Sequence, residues 1–217
     1  QLVQAEVAWL QGALDSAESL AMAARASCDA HGDGDGCADA HWLLSSIAVD
    51  RGDHARCDAE LLAAAQQARG AGDAMRASLA DAASARWAVL RDAPAAQARW
   101  GKHFQAASGK LPAPLAAWVH DFRGLLAHTS RDLGAAAGHY MQSYEAALES
   151  GQLRGAITAA INIGDCFASL NDNESALEWM QCALDLARPT GWPRSIGACQ
   201  THTAETMRKL GRLGAAE

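Results

Sequence analysis

The sequence predicts an all-α protein built from repeated helical hairpins. Half of the residues are hydrophobic, but only 6% are aromatic, and alanine is abundant while β-branched residues are sparse. This composition favours closely packed helices over an extensive sheet. A second observation is self-similarity at a fixed period, which is typical of stacked repeats. A third is that small residues recur at two places in each period, where two helices would have to cross closely.

The repeat is defined by a turn that recurs about every 40 residues, with successive spacings of 40, 39, 40, 40 and 40. The turn residues are Gly12, Gly52, Arg91, Arg131, Asn171 and Gly211. Small residues stand seven positions before and five positions after each turn. In the four middle hairpins the turn is followed by a suitable helix N-cap. These caps are Asp53, Asp92, Asp132 and Asp172.

The most regular hairpin spans Ile157–Pro189. Apolar residues before Asn171 share one helical stripe, and those after it recur at i, i+3, i+4 and i+7. Pro189 stands where the second helix should stop. We expect loops at HGDGDG, residues 31–36, and at SGKLPAP, residues 108–114. The first and sixth hairpins are incomplete and there is no initiator Met, so we expect a fragment of a longer chain.

Within this hairpin, Gly164, Phe167, Ala176, Ala183 and the terminal proline resemble the tetratricopeptide repeat, or TPR. The period of about 40 residues, instead of about 34, is similar to the longer TPR variety of bacterial regulatory proteins such as the MalT-like transcriptional activators. The resemblance implies a right-handed α-α superhelix of TPR-like hairpins. It implies one solenoid over residues 1–217, with about six repeats and breaks near 12, 52, 91, 131, 171 and 211.

For binding, the resemblance implies a concave groove lined by the first helix of each hairpin. The groove positions are Glu6, Asp39, Trp42, Asp81, Trp118, Asp121, His128, Thr158, Asn162, Asp165 and Glu205. Carboxylates predominate, and two indoles lie among them. Carboxylates attract a cation and an indole face stacks on it, so we expect a protein or peptide partner that carries Lys or Arg, or an amine.

One segment carries a metal-ligand pattern. Cys28, His31, Cys37 and His41 have the spacing C-x2-H-x5-C-x3-H. Thiolate and imidazole are good zinc ligands, and four of them complete a tetrahedron. The alternative is an ordinary Gly-rich loop between two helices, and we favour it because the spacing differs from common zinc-finger spacings. We therefore predict no metal and no cofactor, and keep these four residues as a weak candidate.

Composition and motifs exclude several classes of function. The net charge is −7 and no basic run is present, which argues against direct binding of nucleic acid or of anionic membranes. No window approaches 18 consecutive apolar residues. Neither a phosphate-binding loop nor a nucleophile elbow is found, so we predict no catalytic residues and no enzyme. Six cysteines without a paired framework indicate a reducing, cytoplasmic location.

The stretch Gly191–Leu213 is similar to TPR regions that precede output domains in bacterial signalling proteins, including diguanylate cyclases and helix-turn-helix regulators. This similarity implies a regulatory sensor that binds its partner in the groove and acts on a C-terminal output domain absent from these residues. The alternative is an assembly scaffold or chaperone-like adaptor without signalling output. A homodimer would fit the sensor role, particularly if the output works as a pair, because the ends of a repeat stack expose apolar helix faces.

Overall fold

The computed structural model describes residues 1–105 and 111–211, and this part of the chain is all-α. It contains eleven α-helices and a short 3-10 turn at Arg188–Thr190. The helices are α1 Leu2–Leu10, α2 Leu14–His31, α3 Gly34–Asp50, α4 His54–Ala71, α5 Ala74–Val89, α6 Ala93–Gln105, α7 Ala113–Thr129, α8 Leu133–Glu149, α9 Leu153–Ser169, α10 Asn173–Ala187 and α11 Pro193–Lys209. The fold class predicted from the sequence is therefore confirmed.

The chain divides into two compact units, Gln1–Ser84 and Ala85–Glu217, and the boundary falls inside α5. In the first unit α1 packs on α2 and α3 packs on α4, while α2 and α3 also contact each other. In the second unit α7 packs on α8 and α9 packs on α10, and these hairpins continue through α8–α9 and α10–α11 contacts. The predicted single solenoid and its right-handed sense stay predictions.

The turns between the two helices of a hairpin explain the period. Most turn residues have a positive φ. At four turns the residue after the turn residue donates its N–H to a carbonyl five residues earlier, which gives a carbonyl near the end of the helix a hydrogen-bond partner. The positive-φ turn residues are Gly12, Gly52, Arg131, Asn171 and Gly211. At the third turn Arg91 is not in this conformation, and the Asp92 N–H bonds to the Ala88 carbonyl only four residues earlier. Three residues separate the two helices here as at the other turns, but α5 has 16 residues where α3 has 17, which accounts for the spacing of 39.

The aspartates predicted as N-caps perform this role. The side chain of Asp132 accepts a hydrogen bond from the Ala135 N–H at 3.0 Å, and three other hairpins repeat the arrangement. Those three caps are Asp53, Asp92 and Asp172. Two further aspartates, Asp33 and Asp73, cap α3 and α5 in the same way. A carboxylate satisfies an otherwise unbonded backbone donor at each of these helix starts.

Helices cross closely where small residues were predicted. Ala5 and Ala17 are fully buried in the first hairpin, with Leu44 and Ile47 of α3 packed in the same cluster. In the fourth hairpin a Cβ added to Gly124 would lie 2.6 Å from Tyr140 Cε1. In the fifth, a Cβ at Gly164 would lie 2.7 Å from Met180 Cε. The absent side chain on one helix thus makes room for a large, fully buried side chain on the other.

Two predicted segments need a correction or lie outside the description. The predicted loop at residues 31–36 is mostly helical, because α2 extends to His31 and α3 begins at Gly34. Only Gly32, with a φ of 66°, and the cap Asp33 separate the two helices. In the predicted loop at 108–114, residues 108–110 lie outside the described residues and α7 already begins at Ala113. The small residue predicted at 216 also lies outside them.

Candidate functional site

All residues predicted for the groove lie on the first helix of a hairpin. α1 carries Glu6, α3 carries Asp39 and Trp42, α5 carries Asp81, α7 carries Trp118, Asp121 and His128, α9 carries Thr158, Asn162 and Asp165, and α11 carries Glu205. In the second compact unit the first helices contact one another in succession, α7 with α9 and α9 with α11. In the first unit α1 contacts α3. Within each compact unit the predicted residues therefore occupy neighbouring helices.

Most of the predicted carboxylates are bound to a cation of this chain. Arg76 Nε donates to Asp39 Oδ1 at 2.8 Å, and Arg76 Nη2 donates to Asp39 Oδ2 at 3.2 Å. Arg69 Nη2 donates to Asp81 Oδ2. Hydrogen bonding to Asp39, opposed by partial burial, raises the pKa of Arg76 above its already high ordinary value. These two carboxylates of the first unit therefore offer less free negative charge than the sequence led us to expect.

In the second unit Asp121 is the most buried of the predicted residues, with an exposed fraction of 7%. Arg86 Nε, near the end of α5, donates to Asp121 Oδ2, and the guanidinium lies 4.0 Å from the centre of the Trp87 ring. Arg86 Nη1 and Asp121 Oδ1 are buried without a hydrogen-bond partner. A buried pair of this kind is costly to break, because either partner left alone is an uncompensated charge. Asp121 thus holds α7 against the end of α5.

Three contacts between a carboxylate and a basic side chain join consecutive first helices, and we call them the rungs. They are Asp39–Arg76 between α3 and α5, Arg86–Asp121 between α5 and α7, and Asp165–His202 between α9 and α11. Their sequence separations are 37, 35 and 37 residues. The cationic partners were not predicted. A search for opposite charges separated by about one helical turn less than the period would have indicated them. Residues at that separation lie next to each other on neighbouring first helices.

In the second compact unit, the predicted residues that remain accessible lie on α7, α9 and α11. Trp118 and His128 of α7 are partly exposed, and so are Thr158 and Asn162 of α9. Asp165 is also partly exposed, and its Oδ1 lies 3.1 Å from His202 Nδ1. On α11 Glu205 is exposed, with a carboxylate oxygen 3.8 Å from Lys209 Nζ. This face combines an indole, an amide, a hydroxyl and partly neutralised carboxylates.

Three of the four residues of the zinc candidate have other hydrogen-bond partners, while Cys28 lies beside Cys37. His31 Nδ1 lies 2.7 Å from the Ser27 carbonyl, and His41 Nδ1 lies 2.6 Å from Glu60 Oε2. Cys37 Sγ donates to Asp29 Oδ1 at 3.1 Å. Burial first, and then this hydrogen bond, raise the pKa of the Cys37 thiol to about 12, which opposes the thiolate that zinc requires. Over residues 1–105 and 111–211, no three His, Cys, Asp or Glu side chains are grouped so as to hold a metal ion.

A pair of histidines outside the predicted groove is also notable. His120 of α7 stacks on His139 of α8, with ring centres 5.9 Å apart. Burial, together with the charge of Arg123 and of His139, lowers the pKa of His120 to about 4. The ring is therefore neutral at physiological pH, and its buried Nδ1 has no hydrogen-bond partner. Sequence reasoning did not single out this pair.

The fold and this surface define a class of protein: an all-α protein made of repeated helical hairpins, with polar and aromatic residues on the first helices. Comparison of the sequence with protein-family models and with curated proteins found no match. In the described part of the chain, no helix is both long and apolar enough to cross a membrane.

Proposed function

We propose that this chain is a non-enzymatic interaction module that binds a protein or peptide on the first helices of its second compact unit. The observation that carries the proposal is the accessible face of α7, α9 and α11, where partly exposed Trp118, Thr158 and Asn162 lie on helices that contact in succession. Extended concave faces of first helices are what helical-repeat proteins present to their partners.

The ion pairs refine the chemistry of the proposed partner. Because the carboxylate of Asp121 is buried and paired with Arg86, it contributes little to attracting a cation. Hydrogen bonding by Asn162 and Thr158 and contact with Trp118 then carry most of the recognition. The preference for a Lys- or Arg-bearing partner rests on Asp165 and Glu205, which are at least partly exposed.

The resemblance to bacterial regulatory TPR proteins supports a sensor role in the cytoplasm, upstream of an output domain such as a diguanylate cyclase or a helix-turn-helix regulator. In this proposal the bound partner changes the packing of successive hairpins, because each repeat mainly contacts its neighbours. Pairing of two chains is part of the same proposal and would suit an output domain that works as a pair.

A peptide selection tests the binding face. A phage-displayed random peptide library is selected on the purified chain, and the enriched peptides are synthesised and titrated by fluorescence anisotropy. We expect Asn162→Ala to weaken binding by about tenfold, the effect of losing one or two hydrogen bonds. The matched control is Gln142→Ala, which removes an exposed amide from the second helix α8 and should leave affinity unchanged. Peptides that respond to neither Asn162→Ala nor a Thr158→Ala variant would show that this face is not the binding surface.

A further inference from the structure

Two rungs of the second compact unit stand at nearly the same level of their helices but differ in the chemistry of the cation. In the first of these rungs, Arg86 lies 5 residues before the turn at 91, and Asp121 lies 10 residues before the turn at 131. In the second, Asp165 lies 6 residues before the turn at 171, and His202 lies 9 residues before the turn at 211. A guanidinium stays charged at all physiological pH values, whereas an imidazole changes its charge near neutrality. Only one of these two contacts can therefore depend on pH in that range.

The surroundings of His202 determine which groups act on its charge. From α9 it faces Asp165, with 3.1 Å between Nδ1 and Oδ1. On its own helix, the negative charge of Glu205 also acts on the His202 ring, and the Glu205 carboxylate lies near Lys209. α10, the other helix packed on α11, brings no charged group up to this ring among the described residues. The hydrogen bond to Asp165 raises the pKa of His202, burial lowers it, and the charges of Asp165 and Glu205 raise it; the net direction is upward.

We propose that the His202–Asp165 rung is a proton-controlled contact that fastens α11 to α9, formed when His202 is protonated and weakened when the ring is neutral. The pair is about 40% exposed on both sides, so solvent screens it and its effect is local to the α9–α11 contact. Because the folded-state pKa of His202 is raised, the added stability is complete below the ordinary pKa of 6.5 and is lost as pH rises through the folded-state value.

The protonation step is measured by a proton NMR titration of the histidine rings. The His202 signal is identified by its absence in His202→Gln. We expect its midpoint above 6.5 in the wild-type chain and a lower midpoint in Asp165→Asn, which keeps the shape of the side chain but removes its charge. A His202 midpoint at or below 6.5, or one that Asp165→Asn leaves unchanged, would overturn the proposal.

The effect of protonation on the α9–α11 contact is measured by hydrogen exchange of the α11 amides at about pH 5.5 and about pH 8.5, after correction for the intrinsic exchange rates. We expect protection to be about twofold to fivefold greater at the lower pH, the size found for half-exposed ion pairs. His202→Arg copies the permanent cation of the neighbouring rung and should give equal protection at both pH values. His54→Gln, an exposed histidine of α4, is the control and should behave like the wild-type chain. A pH dependence of α11 that persists in His202→Arg would show that another group controls it.

Discussion

Adding one methyl group at Gly124 should destabilise the second compact unit, although the same change usually stabilises a helix. The new Cβ would lie 2.6 Å from Tyr140 Cε1, 2.7 Å from Cδ1 and 3.1 Å from Cγ. Carbon atoms pack best at about 3.5–4.0 Å, so three ring atoms are too close. Tyr140 is only 1% exposed and its ring has little room to move.

The magnitude follows from two opposing effects. Alanine in place of glycine within a helix gains roughly 0.5–1 kcal/mol. Overpacking a well-packed interior costs about 1–3 kcal/mol, and contact with a buried ring places this site toward the upper end. We therefore expect Gly124→Ala to lower the free energy of unfolding by about 1–2 kcal/mol. Urea denaturation followed by far-UV circular dichroism measures this change.

The fourth hairpin supplies a matched control in its second helix. Gly138 of α8 is exposed, and a Cβ built there meets nothing within 4 Å. Gly138→Ala should therefore stabilise the unit by about 0.5–1 kcal/mol. The next hairpin suggests a rescue, because it places Met180 opposite Gly164 and a flexible side chain yields more easily than a ring. Gly124→Ala combined with Tyr140→Met should cost less than the sum of the single changes.

The same experiment can refute the close crossing of α7 and α8. If Gly124→Ala stabilises the chain as much as Gly138→Ala does, the Tyr140 ring does not occupy the space next to Gly124. If the double variant shows no coupling, the destabilisation of the single variant has another source.

Two further predictions concern charged groups of the second unit. Arg86→Ala leaves the carboxylate of Asp121 buried without its cation, so we expect the free energy of unfolding, measured by chemical denaturation, to fall by about 3–5 kcal/mol. A decrease below about 1 kcal/mol would contradict the buried pair. Stability should also fall as pH falls from about 6.5 to about 4. In this range His120 is protonated in the unfolded chain but stays neutral in the folded chain, where its pKa is about 4. The pH dependence of urea midpoints measures this effect, and His120→Gln should reduce the slope; an unchanged slope would assign the acid sensitivity to other groups.

The helices and their caps were predictable because the signals are local. A cap such as Asp132 bonds a backbone N–H three residues away, and a left-handed turn such as that at Asn171 needs only its own few residues. Local reasoning failed where two local features compete. The glycines and aspartates of HGDGDG suggested a loop, but Asp33 caps α3, and only Gly32 and Asp33 lie outside the two helices.

The candidate surface was only partly predictable, because pairing depends on residues one repeat away. Placing Asp39 and Asp165 on first helices followed from the period. Their partners Arg76 and His202 are 37 residues further along the chain, and only the packing of consecutive first helices brings them together. Asp121 was predicted as a binding residue of the groove, but Arg86 reaches it from α5 and the aspartate is buried.

By itself, the sequence determined the helical class, the period of about 40 residues, the positions of the turns and caps, and the small residues at the crossings. Each of these depends on backbone conformation or helical periodicity within a few turns. Only the tertiary structure decided which charges neutralise one another, that the third turn closes with a different hydrogen bond, and which large residues face Gly124 and Gly164. Those outcomes depend on how side chains from separate helices share space and charge, and a linear pattern does not contain those distances.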